Sequence, residues 1–177
     1  MIIKKFENFK PNYNQVKNEN KNDKLVNEIS ELGLSITEDD IIRLVCEYGL
    51  SVEDRDGYGE WNKYVVRNTE ESMFQTPKQI AEAVLELLKH NINTYCEVGV
   101  WKGGTHILID NILKLKNPNL KSIAIDIQNK LTPSAEKYID LKIGTSEDYK
   151  GEKFDLVFID GDHSYDGVKT DYENLGQ

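Results

Sequence analysis

Apolar and polar positions change rhythm along this chain. From about Lys24, Leu25, Val26, Ile29 and Leu32 recur at helical spacing, and Gly33 supplies a stop. Thr37 opens a second helix: Glu38, Asp39 and Asp40 place acid on its positive end. Ile41, Ile42, Leu44, Val45 and Tyr48 form its buried stripe, and Gly49 ends it. Thr76-Pro77 starts a third, which runs to about His90 and buries Ile80, Ala83, Val84, Leu87 and Leu88. After Asn91 short apolar runs alternate with helical segments. Strands are predicted over 94–98, 120–127, 139–143 and 154–159, helices over 104–116 and about 165–174, and a short helix near 133–138. Strands apolar on both faces and separated by helices predict a parallel sheet covered on both sides. The fold class is α/β: a doubly wound parallel sheet of about four strands with an N-terminal helical cap.

The remaining segments are less regular. Residues 1 to about 24, rich in Lys, Asn and Glu, read as a mobile or loosely docked arm. Residues 51–62 read as an irregular loop, and Tyr64–Val66 as a short strand. Two parts follow: an arm and helical cap over 1–75, and the sheet over 76–177.

Composition narrows the function. In 177 residues the formal charge is −9 and the pI near 4.9, which argues against a non-specific grip on nucleic acid. Apolar runs such as Leu156–Ile159 are far too short to cross a bilayer, and the start, Met1-Ile2-Ile3-Lys4, lacks a secretory signal pattern. Cys46 and Cys96 have no metal-ligand spacing and are too few for a disulfide scaffold. A cytoplasmic enzyme or small-ligand binding domain remains.

The first strand of the sheet ends in Cys96-Glu97-Val98-Gly99-Val100-Trp101-Lys102-Gly103-Gly104-Thr105, directly before a helix. Such glycines let the backbone approach a ligand, whereas the competing reading is a plain strand-to-helix turn with close packing. The spacing is neither G-x-G-x-x-G nor a phosphate-cradling P-loop. Glu97, placed at the mouth of the sheet, favours a cationic ligand such as S-adenosylmethionine over the pyrophosphate of NAD. Trp101 is a candidate wall of the site. Asp126 ends the second strand, 22 residues beyond Gly104, where an acid accepts bonds from the ribose hydroxyls of an adenosine.

Two more strand ends carry chemistry. Ser146 or Glu147 is placed to meet the adenine amino group, although a helix-capping serine explains Ser146 equally well. Asp160-Gly161-Asp162-His163 follows the fourth strand, and two aspartates with a histidine suggest hard-cation binding plus an acid/base group. Histidine's ordinary pKa of ~6.5 suits proton removal from a hydroxyl. Turn formation and helix capping account for Asp162 and Ser164 without function.

Over about Pro77 to Asn174 the sequence resembles the class I S-adenosylmethionine-dependent methyltransferases, with their Rossmann-like sheet. Glu97 to Thr105 resembles the first cofactor motif, Asp126 the ribose acid, and Phe158 to Tyr165 the motif after the fourth strand. That last motif is similar to a bacterial branch related to macrolide-sugar O-methyltransferases and, more distantly, to catechol O-methyltransferase. The resemblance implies that Gly99 and Gly103, beside Gly104, line the methionine portion of the cofactor. It implies Thr105 at the methionine carboxylate, Asp126 at the ribose and Ser146 at the adenine. Asp160 falls at a metal-binding aspartate (Mg²⁺) beside the cofactor, and His163 at a catalytic base. The implied reaction is methyl transfer to a hydroxyl of a small molecule or sugar. The family sheet has seven strands, whereas this chain stops after the fourth strand and its helix. The expectation is therefore a C-terminally incomplete fold, or a homo-oligomer whose second copy covers the open edge. The alternative function is a non-catalytic domain that binds S-adenosylmethionine or a partner.

Overall fold

The computed structural model describes residues 21–48, 73 and 75–176. Five α-helices and four strands follow in chain order: α1 (Lys21–Leu32), α2 (Glu38–Tyr48), α3 (Pro77–Leu87), β1 (Thr94–Val98), α4 (Gly104–Lys116), β2 (Lys121–Asp126), β3 (Leu141–Ile143), β4 (Leu156–Ile159) and α5 (Tyr165–Leu175). Short 3₁₀ turns occupy Gly33–Ser35 and Ser146–Tyr149. The strands form one sheet in the order β3-β2-β1-β4 with every pairing parallel. This is a Rossmann-like α/β fold.

Period-two alternation sorts the strand residues onto two helical layers. Tyr95, Ala124, Leu141, Leu156 and Phe158 pack into the larger cluster with residues of α1 to α4. Cys96, Val98, Ile125 and Val157 face the other way, onto Leu175 of α5, Tyr149 and Phe154. Helix α4 explains the larger layer. Its Ile107, Leu108, Ile109 and Ile112 are all fully buried, so most of its girth is covered by the core cluster and α1. Truncating one of these side chains to alanine costs about 2–5 kcal/mol.

The helix starts follow local chemistry. The Thr37 hydroxyl accepts from the Asp40 amide, while Asp40 Oδ2 accepts from the Thr37 amide and hydroxyl, a reciprocal cap that also holds the Asp40 carboxyl below its ordinary pKa. Proline stands in the first turn of α3. Gly33, at φ +59°, ends α1 as its sequence predicts.

Three expectations are corrected. The arm gives way to helix at Lys21, because Asn22 is buried and donates to Ser134 and Thr132, while Asp23 accepts from Tyr138. Residues 133–138 form hydrogen-bonded turns rather than a helix, since α1 and Gly103 fix that loop by contact instead of by its own periodicity. Strands two to four are shorter at their starts than predicted: β3 begins at Leu141 and β4 at Leu156. The loop predicted over 51–62 and the Tyr64–Val66 strand lie outside the described residues. No helix of the described residues is long and apolar enough to cross a membrane.

Candidate functional site

The register sets the strand tips in a row. Val98 pairs with Ile125 on one side and Ile159 on the other, and Asp126 pairs with Ile143. The chain leaves the sheet at Gly99, Asp126, Gly144 and Asp160 at nearly one level. Successive strands β1, β2 and β3 grow in one direction, and β4 then returns to the far side of β1. The reversal between β1 and β4 is where open parallel sheets form a ligand crevice.

Backbone contacts fix the rim of that crevice. The Gly99 amide donates to Ile125 O, and the Asp160 amide to Val98 O, both at 2.8 Å. Gly99 has φ +85°, and a Cβ there would lie 2.5 Å from the carbonyl carbon and oxygen of Asp160 and nearer still to the Gly161 Cα. Only glycine satisfies both demands. Asp126 Oδ2 accepts from the amides of Val100 and Trp101, each at 3.0 Å, and Oδ1 accepts from the Gln128 amide at 3.2 Å. The carboxylate thus shapes the glycine loop, and Oδ1 keeps spare acceptor capacity. Trp101 is held at φ +48°, a conformation disfavoured for a bulky side chain.

At the tip of β4, Asp160 is partly buried and its Oδ2 accepts from Gln75 Nε2 at 2.7 Å. Burial pushes its carboxyl up to about 6, reinforced by the negative charge of Glu97 and opposed by His163 and the Gln75 hydrogen bond. His163 is 80% exposed, with Nε2 3.9 Å from Asp160 Oδ1. Asp162 accepts from the Ser164 amide, and Ser164 accepts from the Gly167 amide as the N-cap of α5. Those two side chains build the turn, as the plainer reading of the sequence has it.

Several residues expected at the cofactor are buried or engaged within the protein. Glu97 is 1% exposed, on the α4 side of the sheet, where Oε2 accepts from the Tyr95 hydroxyl at 2.8 Å and meets His106 Nδ1 at 3.1 Å. It does not stand open at the mouth of the sheet, because strand alternation turns it inward. A Cβ on Gly103 (φ +88°) would strike Ile139, Leu131 and Ala135, so this glycine serves loop packing. Gly104 and Thr105 are buried in the first turn of α4. Ser146, 2% exposed, accepts from Asn174 at 3.0 Å and ties the 3₁₀ turn to α5. Cys96 is buried and its thiol pushed up to about 12, the inert state expected of it.

Three residues missed by sequence reasoning lie at the strand tips or against them. Ile127, directly after Asp126, is 70% exposed, and Ile143, at the tip of the neighbouring strand, is 61% exposed. Ile127 is the sequence neighbour of Asp126, and Ile143 is its register partner. The signal was available: an isoleucine set between an aspartate and a polar run has no packing reason to be there. Gln75 carries no motif, since its contact with Asp160 spans 85 positions.

Mg²⁺ takes an octahedron of oxygens, several of them water, around one or two carboxylates. Among the described residues no group of three or more metal-ligating side chains converges, and one Asp160 oxygen is occupied by an amide donor. The described residues give no support for a Mg²⁺ site.

A family model described as a methyltransferase domain matches residues 96–177. Among solved structures the chain is similar to one named "cmcI-N160 SAH", with 18% identity over 70% of this chain and 72% of that one and a TM-score of 0.45. It is also similar to "CmcI-N160 apo-structure", with 21% identity over 70% of this chain and 63% of that one and a TM-score of 0.42. No curated protein matches the chain.

Proposed function

We propose that this chain binds S-adenosylmethionine over the tips of β1, β2 and β4 and transfers its methyl group to a hydroxyl of a small molecule or sugar. One observation carries the reading. Asp126 organises the glycine loop at the tip of β2, where its sequence neighbour Ile127 and register partner Ile143 are both exposed; an adenosine requires an acceptor for ribose and an apolar face for the base. The donor set therefore fits the cofactor, and the methyltransferase-domain match over 96–177 supports the same reading.

The cofactor supplies a sulfonium carbon open to nucleophilic attack. Asp126 orients the adenosine, and the carboxylates of Asp160 and Asp126 favour a positive ligand across the crevice. His163, exposed at the rim, takes the hydroxyl proton as the oxygen–carbon bond forms and the carbon–sulfur bond breaks. No metal enters this scheme.

A second reading, cofactor binding without turnover, is favoured by the loose 3.9 Å spacing of His163 and Asp160. Two buried thiols, Cys46 and Cys96, are in keeping with a cytoplasmic site. A second copy against β4 also belongs to the proposal, because β4 pairs with β1 alone among the described residues.

Transfer of labelled methyl to a panel of phenols, sugars and aliphatic alcohols tests the function. Turnover that requires the folded chain supports transfer, whereas cofactor binding with no labelled product supports the second reading. Thermal stabilisation by NADH but not by S-adenosylhomocysteine overturns both.

A further inference from the structure

We propose that His106, through Glu97, is a positioning residue for the glycine loop, an inference that rests on the cofactor reading above. Glu97 lies two residues before Gly99, and His106 three residues after Gly103, in the first turn of α4. Their 3.1 Å contact therefore joins the strand end to the helix start across the base of the loop. Tyr95 completes the group: its hydroxyl donates to Glu97 Oε2 at 2.8 Å, and its ring stacks on the His106 imidazole with centroids 4.9 Å apart and planes 16° from parallel.

All three side chains are essentially sealed from water. Oε2 already takes the Tyr95 hydroxyl, and a carboxylate oxygen accepts, so Nδ1 is the donor to Glu97. Nε2 is the one buried side-chain polar atom without a hydrogen-bond partner among the described residues. An orphaned buried nitrogen destabilises a fold, and a leucine of similar volume would avoid that loss. A packing role alone does not call for histidine here. A donor aimed at Glu97 does.

The clamp acts at the point where the crevice is assembled. Val98, next to Glu97, accepts the Asp160 amide, and Gly99 donates to Ile125. A shift at Glu97 therefore reaches the tips of β2 and β4 together, and with them the loop amides that Asp126 holds.

The experiment uses the Trp61→Phe background, in which Trp101 of the loop is the sole indole, and reads its emission and the binding of S-adenosylhomocysteine. His106→Leu keeps the volume and removes the donor; it is expected to shift Trp101 emission and weaken binding about tenfold. His106→Asn sets an amide donor near the place of Nδ1 and is expected to restore both to within about threefold of the parent. Parent-like binding and emission in the leucine variant overturn the proposal, as does equal weakening in both variants. If the leucine variant does not fold, Tyr95→Phe decides, since it keeps the ring stack and deletes one donor to Glu97. Weaker binding with a shifted Trp101 emission supports the clamp, and no change in either overturns it. Absence of binding by the parent contradicts the cofactor reading instead, and Trp101 emission in the unliganded variants then decides the clamp: shifted by leucine and restored by asparagine, or not.

Discussion

The Asp126 carboxylate accepts the amide of Trp101 at 3.0 Å, and Trp101 is the one non-glycine residue among those described with a positive φ, +48°. A bulky residue in the left-handed region is disfavoured by about 1–2 kcal/mol. Two charge-assisted bonds donated to one carboxylate by the Val100 and Trp101 amides are of a size to offset that cost. Asp126→Ala is therefore expected to lower the melting temperature and to weaken S-adenosylhomocysteine binding more than about tenfold. Asp126→Asn, which keeps one acceptor oxygen, should fall between alanine and the parent. Equal affinity for all three, read by calorimetric titration, would remove Asp126 from the site.

Gly99 and Gly151 separate backbone strain from crowding. Both have strongly positive φ, +85° and +90°, but a Cβ at Gly151 meets nothing within 4 Å, whereas at Gly99 it meets the Asp160–Gly161 backbone. Gly151→Ala is expected to cost about 1 kcal/mol. Gly99→Ala should exceed about 3 kcal/mol, because backbone on both sides must move. Denaturant unfolding of the two variants measures the difference, and equal losses would mean that β1 and the β4 loop are not in contact.

Asp160 gives stability a pH dependence of definite sign. Its folded carboxyl titrates at about 6 against 3.8 ordinarily, so between those values the native state holds more protons than the unfolded chain. This contribution is present at low pH and is lost as pH rises through about 6. Asp160→Asn is expected to stabilise the protein by about 1–2 kcal/mol at pH 8 and to match the parent near pH 4. Paired thermal melts at both values check this, and a parent favoured at pH 8 contradicts it.

His163 should be dispensable for folding. It is 80% exposed and its nearest charged partner lies 3.9 Å away, so His163→Ala is expected to shift stability by less than about 0.5 kcal/mol. With an accepted substrate, the same change should lower kcat about 100-fold and leave cofactor affinity intact. Full kcat in the alanine variant would place the base elsewhere.

The sheet was legible because its signals are local. The β1 run Thr94–Val98 and the helix Gly104–Lys116 match their predicted bounds, as buried strands and a capped apolar helix carry their patterns in adjacent residues. Asp126 and Asp160 were legible for the same reason: each closes an apolar strand, and parallel register carries strand ends to one level. Glu97 was not. Its place in the motif suggested the mouth of the crevice, while strand parity turned it toward His106, a residue whose role only packing reveals. Gly103 and Ser146 likewise serve contacts with residues 28 or more positions away. Gln75 was silent because its one informative neighbour is 85 positions distant. The loop at 133–138 misled in the opposite sense, its helix-like composition yielding to contacts with α1.

The proposed function requires an adenosine-bearing cofactor seated at the tips of β1 and β2. Isothermal titration of the folded chain with S-adenosylhomocysteine measures this directly. One site per chain with a Kd of about 10 μM or tighter is the predicted result. No heat of binding from well-folded protein, or undiminished binding after Asp126→Ala, would contradict it.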